Sequence, residues 1–282
     1  MFKTGVSDVR MDVQVTANDN PVRGLKADDF HIADEGQSQK IVYFAHDAEP
    51  LNLLILLDIS GSMQTHIDEI AATARQAMDY LRPGDSVGIM VFAKTTALHK
   101  EFGDNLAEAA RQISSAVRDH DVGTGTQINA AVVEAAHYIA ANAGPVGRRA
   151  VLILTDNLSM SYRLTDGQVI RELDKSDTVL NAIVVGRAIR PGPQERYTDP
   201  DQSPADVFHL AEQTGGEAVR TEQAGVPFAE IIQRMRMRYT LAYHEPPSTP
   251  GTFRHVQVTL TESARLRFPA AAIRARAGYY SE

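Results

Sequence analysis

The sequence predicts an α/β protein: a doubly wound, mostly parallel six-stranded sheet flanked by helices, joined to a small antiparallel β subdomain formed by both termini. Three observations lead to this fold. From Leu51 to about Arg238, short apolar runs alternate with amphipathic stretches, as strands do when helices cover them. Both ends of the chain instead alternate apolar and polar residues in the manner of half-buried antiparallel strands. A chain of 282 residues with 43% hydrophobic content can bury at least one full core. The expected division is 1–50, 51–238 and 239–282, with the outer segments pairing because neither alone has enough strands to close a sandwich.

The elements follow in order. Val9, Met11, Val13 and Val15 alternate with polar neighbours as a first strand, and DFHIADEG and QKIVYFAH read as two more. LNLLILLD, DSVGIMVFA, TALHKEF, RAVLILTD, TVLNAIVVG and GEAVR read as the six strands of the central sheet. The third of these is expected at an antiparallel edge, because only a few residues separate it from the second. Between the first two, a helix from about Met63 to Leu81 places Ile67, Ile70, Ala74, Ala77, Met78 and Leu81 on one stripe, and Arg-Pro-Gly ends it. Another helix is expected from about Thr126 to Ala141, and a last one over PFAEIIQRMRM, where Phe228, Ile231, Ile232 and Met235 share a face. Arg234, Arg236 and Arg238 read there as a solvated helix face running into a strand start. YTLAYH, FRHVQVTL and AIRARAGYY supply the returning strands, with EPPSTPG as a hairpin loop.

Composition removes several function classes. A net charge of −8 with mixed signs argues against a nucleic-acid or anionic-membrane surface and fits protein or cation partners. The chain has no cysteine, which excludes disulfides, zinc thiolate sites and cysteine nucleophiles. LNLLILL and AVLILT fall far short of the roughly 20 apolar residues that span a bilayer, so no membrane insertion is expected. MFKTGVSDVRMDVQV lacks the continuous apolar stretch of a secretory signal and enters its alternation at once, as a domain start does.

Chemistry concentrates where the first central strand ends. LLDISGSM delivers Asp58, Ser60 and Ser62 to the loop between strand and helix, at the carboxyl edge where such sheets bind ligands. Taken alone the pattern equally suits a helix cap or turn. Two further loops supply more oxygens: Thr126 opens a helix after the glycine-rich DVGTGT, with Thr124 as its rival, and Asp156 ends RAVLILTD. Two carboxylates and three hydroxyls are hard donors, suited to Mg2+, Mn2+ or Ca2+ and poorly to zinc or copper.

These residues resemble the von Willebrand factor type A domain, whose metal ion-dependent adhesion site has D-x-S-x-S, then a threonine, then an aspartate. Asp58, Ser60, Ser62, Thr126 and Asp156 fill all five positions. The likeness runs from Leu51 to about Arg238 and includes LAEQTGGEAVR. PVRGLKADDFHIADEGQSQKIVYF, RYTLAYH and ARAGYY look like the bacterial proteins of this type best known from Acidobacteria. Asn129 and Asn157 depart from the usual Asp and Gly, and neither removes a ligand. The resemblance implies a non-enzymatic module whose ion is completed by an Asp or Glu carboxylate of a protein partner, and an exported, periplasmic or cell-envelope location. It also implies a switch in which Thr126 and Asp156 trade direct and water-mediated roles and the last helix moves, with a static site as the alternative.

Partner contacts are expected at the rim of this sheet edge, from Tyr162 and Arg163 in NLSMSYRLT and from Arg196 and Tyr197 in RAIRPGPQERYTDPDQSP, a length of structureless chain. Two other functions compete. The ion would be purely stabilising in one; the other is a phosphatase of the haloacid dehalogenase type, which needs a second acid where Ser60 stands. No H-E-x-x-H occurs, and His66 reads as an ordinary helix residue.

Overall fold

The computed structural model describes residues 7–46, 48–116, 121–144, 146–162, 164–186, 190–191 and 202–281. The chain opens with strands β1 (Asp8–Ala17), β2 (Asn20–Pro21), β3 (Phe30–Asp34), β4 (Gln37–Gln39) and β5 (Tyr43–His46). The central unit follows as β6 (Leu51–Asp58), α1 (Gln64–Met78), β7 (Ser86–Phe92), β8 (Thr96–Lys100), α2 (Leu106–Ala116), α3 (Ile128–Asn142), β9 (Arg148–Thr155) and β10 (Met160–Tyr162). It continues through α4 (Asp166–Lys175), β11 (Thr178–Val185), β12 (Gln202–Pro204), α5 (Val207–Thr214), β13 (Ala218–Thr221) and α6 (Gly225–Arg236). The chain returns through β14 (Tyr239–His244), β15 (Phe253–Leu260), α7 (Glu262–Arg267), β16 (Ala271–Arg274) and β17 (Gly278–Tyr280).

The six central strands lie in the order β13-β11-β9-β6-β7-β8, parallel throughout except for the β7–β8 edge. Strand β6 is buried at all eight positions because helices cover both faces. Its period of two divides the core. Leu53, Ile55 and Leu57 pack with α1, α2 and α6, whereas Leu54 and Leu56 pack with α3, α4 and α5. The stripe expected on the first helix is buried at all six residues, from Ile67 to Leu81.

The two ends of the chain do pair. One sheet runs β16-β1-β14-β5 with β2 on β1, and another runs β17-β15-β3-β4. Met11, Val13, Tyr239, Leu241 and Tyr243 of the first meet Ile32, Val256 and Val258 of the second in a separate core. EPPSTPG does not close a hairpin. It carries the chain from β14 in one sheet to β15 in the other, and AIRARAGYY likewise divides between β16 and β17 in opposite sheets. Alternation reveals which face of a strand is apolar and is silent on which strand lies beside it. The long segment after β11 is not wholly structureless, since Gln202–Pro204 pairs with Met160–Tyr162.

Arg234, Arg236 and Arg238 are not solvated. They are 8%, 4% and 2% exposed. Arg234 Nε donates to Glu217 at 2.8 Å and Arg236 pairs with Asp85 at 2.9 Å. Arg238 reaches Asp12 of β1 and the Gly215 carbonyl, the latter at 2.7 Å. A fourth buried arginine, Arg148, donates to the Met235 and Arg236 carbonyls, both at 2.8 Å, closing the end of α6. Long stems lie along apolar surface while each planar head finds acceptors where the two units meet, which a count of charges on a helix face cannot foresee.

Candidate metal centre

Strand β6 has β9 on one side and β7 on the other, so the loops leaving its carboxyl end and that of β9 diverge and open a crevice between them. Asp58 ends β6 with no exposure to solvent. Its Oδ1 accepts the Ser60 amide at 3.0 Å, and its Oδ2 accepts the Thr155 hydroxyl at 2.8 Å. A 3-10 turn over Gly61–Met63 then leads into α1, whose N-cap is Met63 with no side-chain cap bond. The serines therefore do not cap α1, while the Asp58 bond to the amide two residues on is the turn-forming contact that the alternative reading of D-x-S-x-S allows. Ser60 Oγ stands 3.4 Å from Ser62 Oγ, and Ser62 Oγ donates to Asp156 Oδ2 at 2.7 Å.

The remaining loops are sewn to these two. Asp156 Oδ1 accepts the Leu158 amide at 3.0 Å, and Ser159 Oγ donates to the Thr126 carbonyl at 2.7 Å while accepting the Ile128 amide at 3.3 Å. The Gln127 amide donates to Ala93 O and the Ile59 amide to Phe92 O, each at 2.9 Å. Hydrogen bonds thus form a closed ring through the ends of β6, β7 and β9 and the start of α3. Thr126 precedes the α3 N-cap, Gln127, which has no side-chain cap bond, and no hydrogen bond engages the Thr126 hydroxyl among the described residues. Thr124, exposed, lines the same groove as Thr126.

The electrostatics are those of a site short of positive charge. Neither Asp58 nor Asp156 has an ion-pair partner among the described residues. Burial pushes the Asp58 carboxyl up to about 6 despite hydrogen bonds from Ser60 and Thr155, and the neighbouring Asp156 charge adds to the rise. A dipositive ion would balance both carboxylates, and the three hydroxyl groups keep lone pairs to offer it. Among the described residues no three His, Asp or Glu side chains converge as a metal cluster; this set differs by drawing most of its donors from hydroxyls.

Both departures from the usual motif have a local cause. Asn129 donates through Nδ2 to the Leu164 carbonyl and to buried Asp166, each at 3.0 Å, where an aspartate would meet like charge. Asn157 sits at φ 58°, a left-handed position that suits Gly or Asn, and its Oδ1 accepts the Val207 amide at 3.3 Å. Thr155 and Ser159, both part of the ring, carry no motif signal beyond being hydroxyls flanking Asp156. His66 lies in α1 with Nδ1 3.7 Å from Glu69, as an ordinary helix residue does. Tyr162 pairs through its backbone with Gln202. Its side chain, and Arg163, Arg196 and Tyr197, lie outside the described residues.

Fold and site together define a doubly wound α/β module with a hydroxyl-rich acidic crevice at its switch point. Residues 53–158 match the von Willebrand factor type A domain family. No curated protein matches the chain. Among solved structures, proximal thread matrix protein 1 from the mussel byssus is 14% identical, with 72% of this chain and 51% of that one covered and a TM-score of 0.53. A second structure of that protein, with a zinc-occupied MIDAS motif, is 14% identical over 67% of this chain and 49% of that one, at a TM-score of 0.51. BatB from Bacteroides thetaiotaomicron is 18% identical, covering 66% of this chain and 97% of its own, at a TM-score of 0.49. The chain thus spans about half the length of the mussel protein, and at these identities the likeness is one of fold.

Proposed function

We propose that the chain is a divalent-cation-dependent protein-binding module, with Asp58, Ser60, Ser62, Thr126 and Asp156 holding the ion and an Asp or Glu carboxylate of a partner completing it. The observation that carries this reading is the pairing of two cation-less carboxylates with three hydroxyls that no helix uses as caps. When bound, the ion supplies an electrophilic coordination position open to a carboxylate. Oxygen-only donors rank magnesium and manganese first, with calcium next; the mussel protein's zinc adds zinc to the ions worth testing. The reading as a purely fastening ion is weaker, since hydrogen bonds already close the ring of loops without one. The phosphatase reading is weaker still, because Ser60 stands where such an enzyme needs its second acid.

Thermal unfolding of the full chain in EDTA, MgCl2 and MnCl2 tests this proposal. An ion at a hundredfold excess over its Kd stabilises the fold by about 2.7 kcal/mol. The parent is expected to show such a rise, and Asp58→Ala and Ser60→Ala to lose it. Equal melting in EDTA and in millimolar Mg2+ and Mn2+ would overturn the metal site. A metal-dependent rise with no metal-dependent binding of carboxylate-bearing peptides would leave the fastening role. An exported or cell-envelope location belongs to the same proposal, and cell fractionation tests it; no helix among the described residues is long and apolar enough to cross a membrane.

A further inference from the structure

We propose that the groove beside the metal centre selects a peptide segment of the partner in which the ion-binding acid is flanked by an apolar side chain, received by Leu158, and by a second acidic group, received by Lys94. This rests on the reading of the site as a protein-binding metal centre and names the partner's chemistry. Leu158 is 68% exposed, although it stands only two residues beyond Asp156. Its presentation is fixed from both sides. Its own amide is held by Asp156 Oδ1, Asn157 before it is pinned in the left-handed region by the Val207 amide, and Ser159 after it is bonded to Thr126 O. An apolar side chain held outward on a rigid turn beside a binding crevice has surface left to bury against a partner.

Lys94 lines the same groove, with Thr124, Gly125, Thr126, Leu158 and Ser159. Its stem rests on Gly123, where an added Cβ would come within 3.2 Å of Lys94 Cβ. Its ammonium group has no ion-pair partner among the described residues, and the acid nearest in sequence to Gly123, Asp121, turns its Oδ1 to the Gly123 amide at 3.1 Å. Thr126 therefore shares its groove with an unspent cation and an unspent apolar surface. On a chain of net charge −8, with the ion balanced by Asp58 and Asp156, Lys94 supplies the local positive charge of this groove, complementary to an acidic group rather than to a basic or neutral one.

The test is selection of displayed linear heptapeptides with a central Asp or Glu on the full chain, in Mn2+ and in EDTA, with the parent, Leu158→Ser and Lys94→Glu. The parent in Mn2+ is expected to enrich peptides with a neighbouring Leu, Ile or Phe and a second Asp or Glu. Leu158→Ser should lose the apolar preference and Lys94→Glu the acidic one, while both keep the parent's metal-dependent rise in melting temperature. A synthetic peptide of the enriched sequence should bind the parent about tenfold more tightly than its Gly-substituted analogue, a ratio that falls towards one in Leu158→Ser. Metal-dependent enrichment with the same flanks in parent and both variants overturns the roles of Leu158 and Lys94 while the metal-centre reading stands. Absence of any Mn2+-dependent enrichment overturns both.

Discussion

Asp58 is held out of water by the sheet that delivers it, and no cation offsets its charge. A buried carboxylate of this kind is unfavourable unless something positive arrives, so a role in ion binding and a role in the stability of the ion-free fold pull in opposite directions. Asp58→Asn separates them. The amide keeps one of the two acceptor positions facing the Ser60 amide and the Thr155 hydroxyl, and it removes the charge. In EDTA at neutral pH the variant is expected to unfold within about 1 kcal/mol of the parent, whereas Mg2+ should stabilise the parent alone. Urea unfolding with and without the ion measures both, and a variant that still gains stability from Mg2+ would remove Asp58 from the ligand set. The D-x-S-x-S segment was legible because three of the candidate donors lie within five residues, and Thr126 and Asp156 because each stands at an element's end. Thr155 and Ser159 were not, since what marks them is a bond to Asp58 and to Thr126, 97 and 33 residues away.

Elements were legible wherever a single period dominates, as in β6, β9 and α1, and least so where long polar side chains decide the packing. Helix α6 is the instructive case: its apolar face was readable, but its arginines enter the interior and are neutralised there by acids that belong to other elements. Removing Glu217 leaves buried Arg234 with only the more exposed Glu230, 3.5 Å away, and is expected to cost about 3 kcal/mol, the lower end for a broken buried pair. Glu217→Leu combined with Arg234→Met should recover most of that loss, because the pair's own net worth is small. A double-mutant cycle in urea checks this, and strictly additive losses would contradict it. The β sandwich has its own polar hub in Asp34, fully buried, which accepts the Tyr243 and Tyr279 hydroxyls at 2.9 Å each and the Arg254 guanidinium at 2.6 Å. Burial and the bonds to Asp34 raise both phenols above their ordinary value. The folded state therefore holds these protons more tightly than the unfolded chain does. Their contribution is fully present below about pH 10 and is lost as pH rises beyond it, because the unfolded chain then ionises first. Absorbance at 295 nm should show Tyr243 and Tyr279 titrating only together with unfolding, and Tyr243→Phe should cost about 1.5–3 kcal/mol. Ionisation of both before any loss of secondary structure would refute the hub.

At the scale of the whole molecule, the pairing of the two ends was legible because neither end has enough strands alone, but the way they attach to the α/β unit was not. The attachment is a set of backbone approaches and buried charges. Arg238 links Asp12 of β1 to the Gly215 carbonyl after α5, Arg276 links Asp174 of α4 at 2.9 Å to the Arg10 carbonyl, and the Ala277 amide donates to Gln213 O at 3.0 Å. Gly215 is the tightest point. Its φ is 78°, and a Cβ there would lie 2.3 Å from the Arg276 amide nitrogen and 2.4 Å from the Ala275 carbonyl carbon, so any side chain must drive the segment between β16 and β17 away from α5. With these links intact, the two units should unfold in one transition, and amides of Val13 and Leu241 in the sandwich should exchange with the same free energy as those of Leu56 and Val184 in the central sheet. Gly215→Ala should cost about 2 kcal/mol or more, combining the left-handed backbone with an overlap that only a backbone shift can relieve. The loss should fall on the junction, so that the sandwich amides exchange before the central ones. The metal centre lies at the opposite edge from that junction's Arg148 clamp, since Asp58 ends β6 while Arg148 begins β9, and the variant should therefore keep the ion-dependent rise in stability. If Gly215→Ala unfolds in a single unchanged transition, the two units are not joined through this contact; if it abolishes the response to Mg2+, the metal centre depends on the sandwich and is not a property of the α/β unit alone.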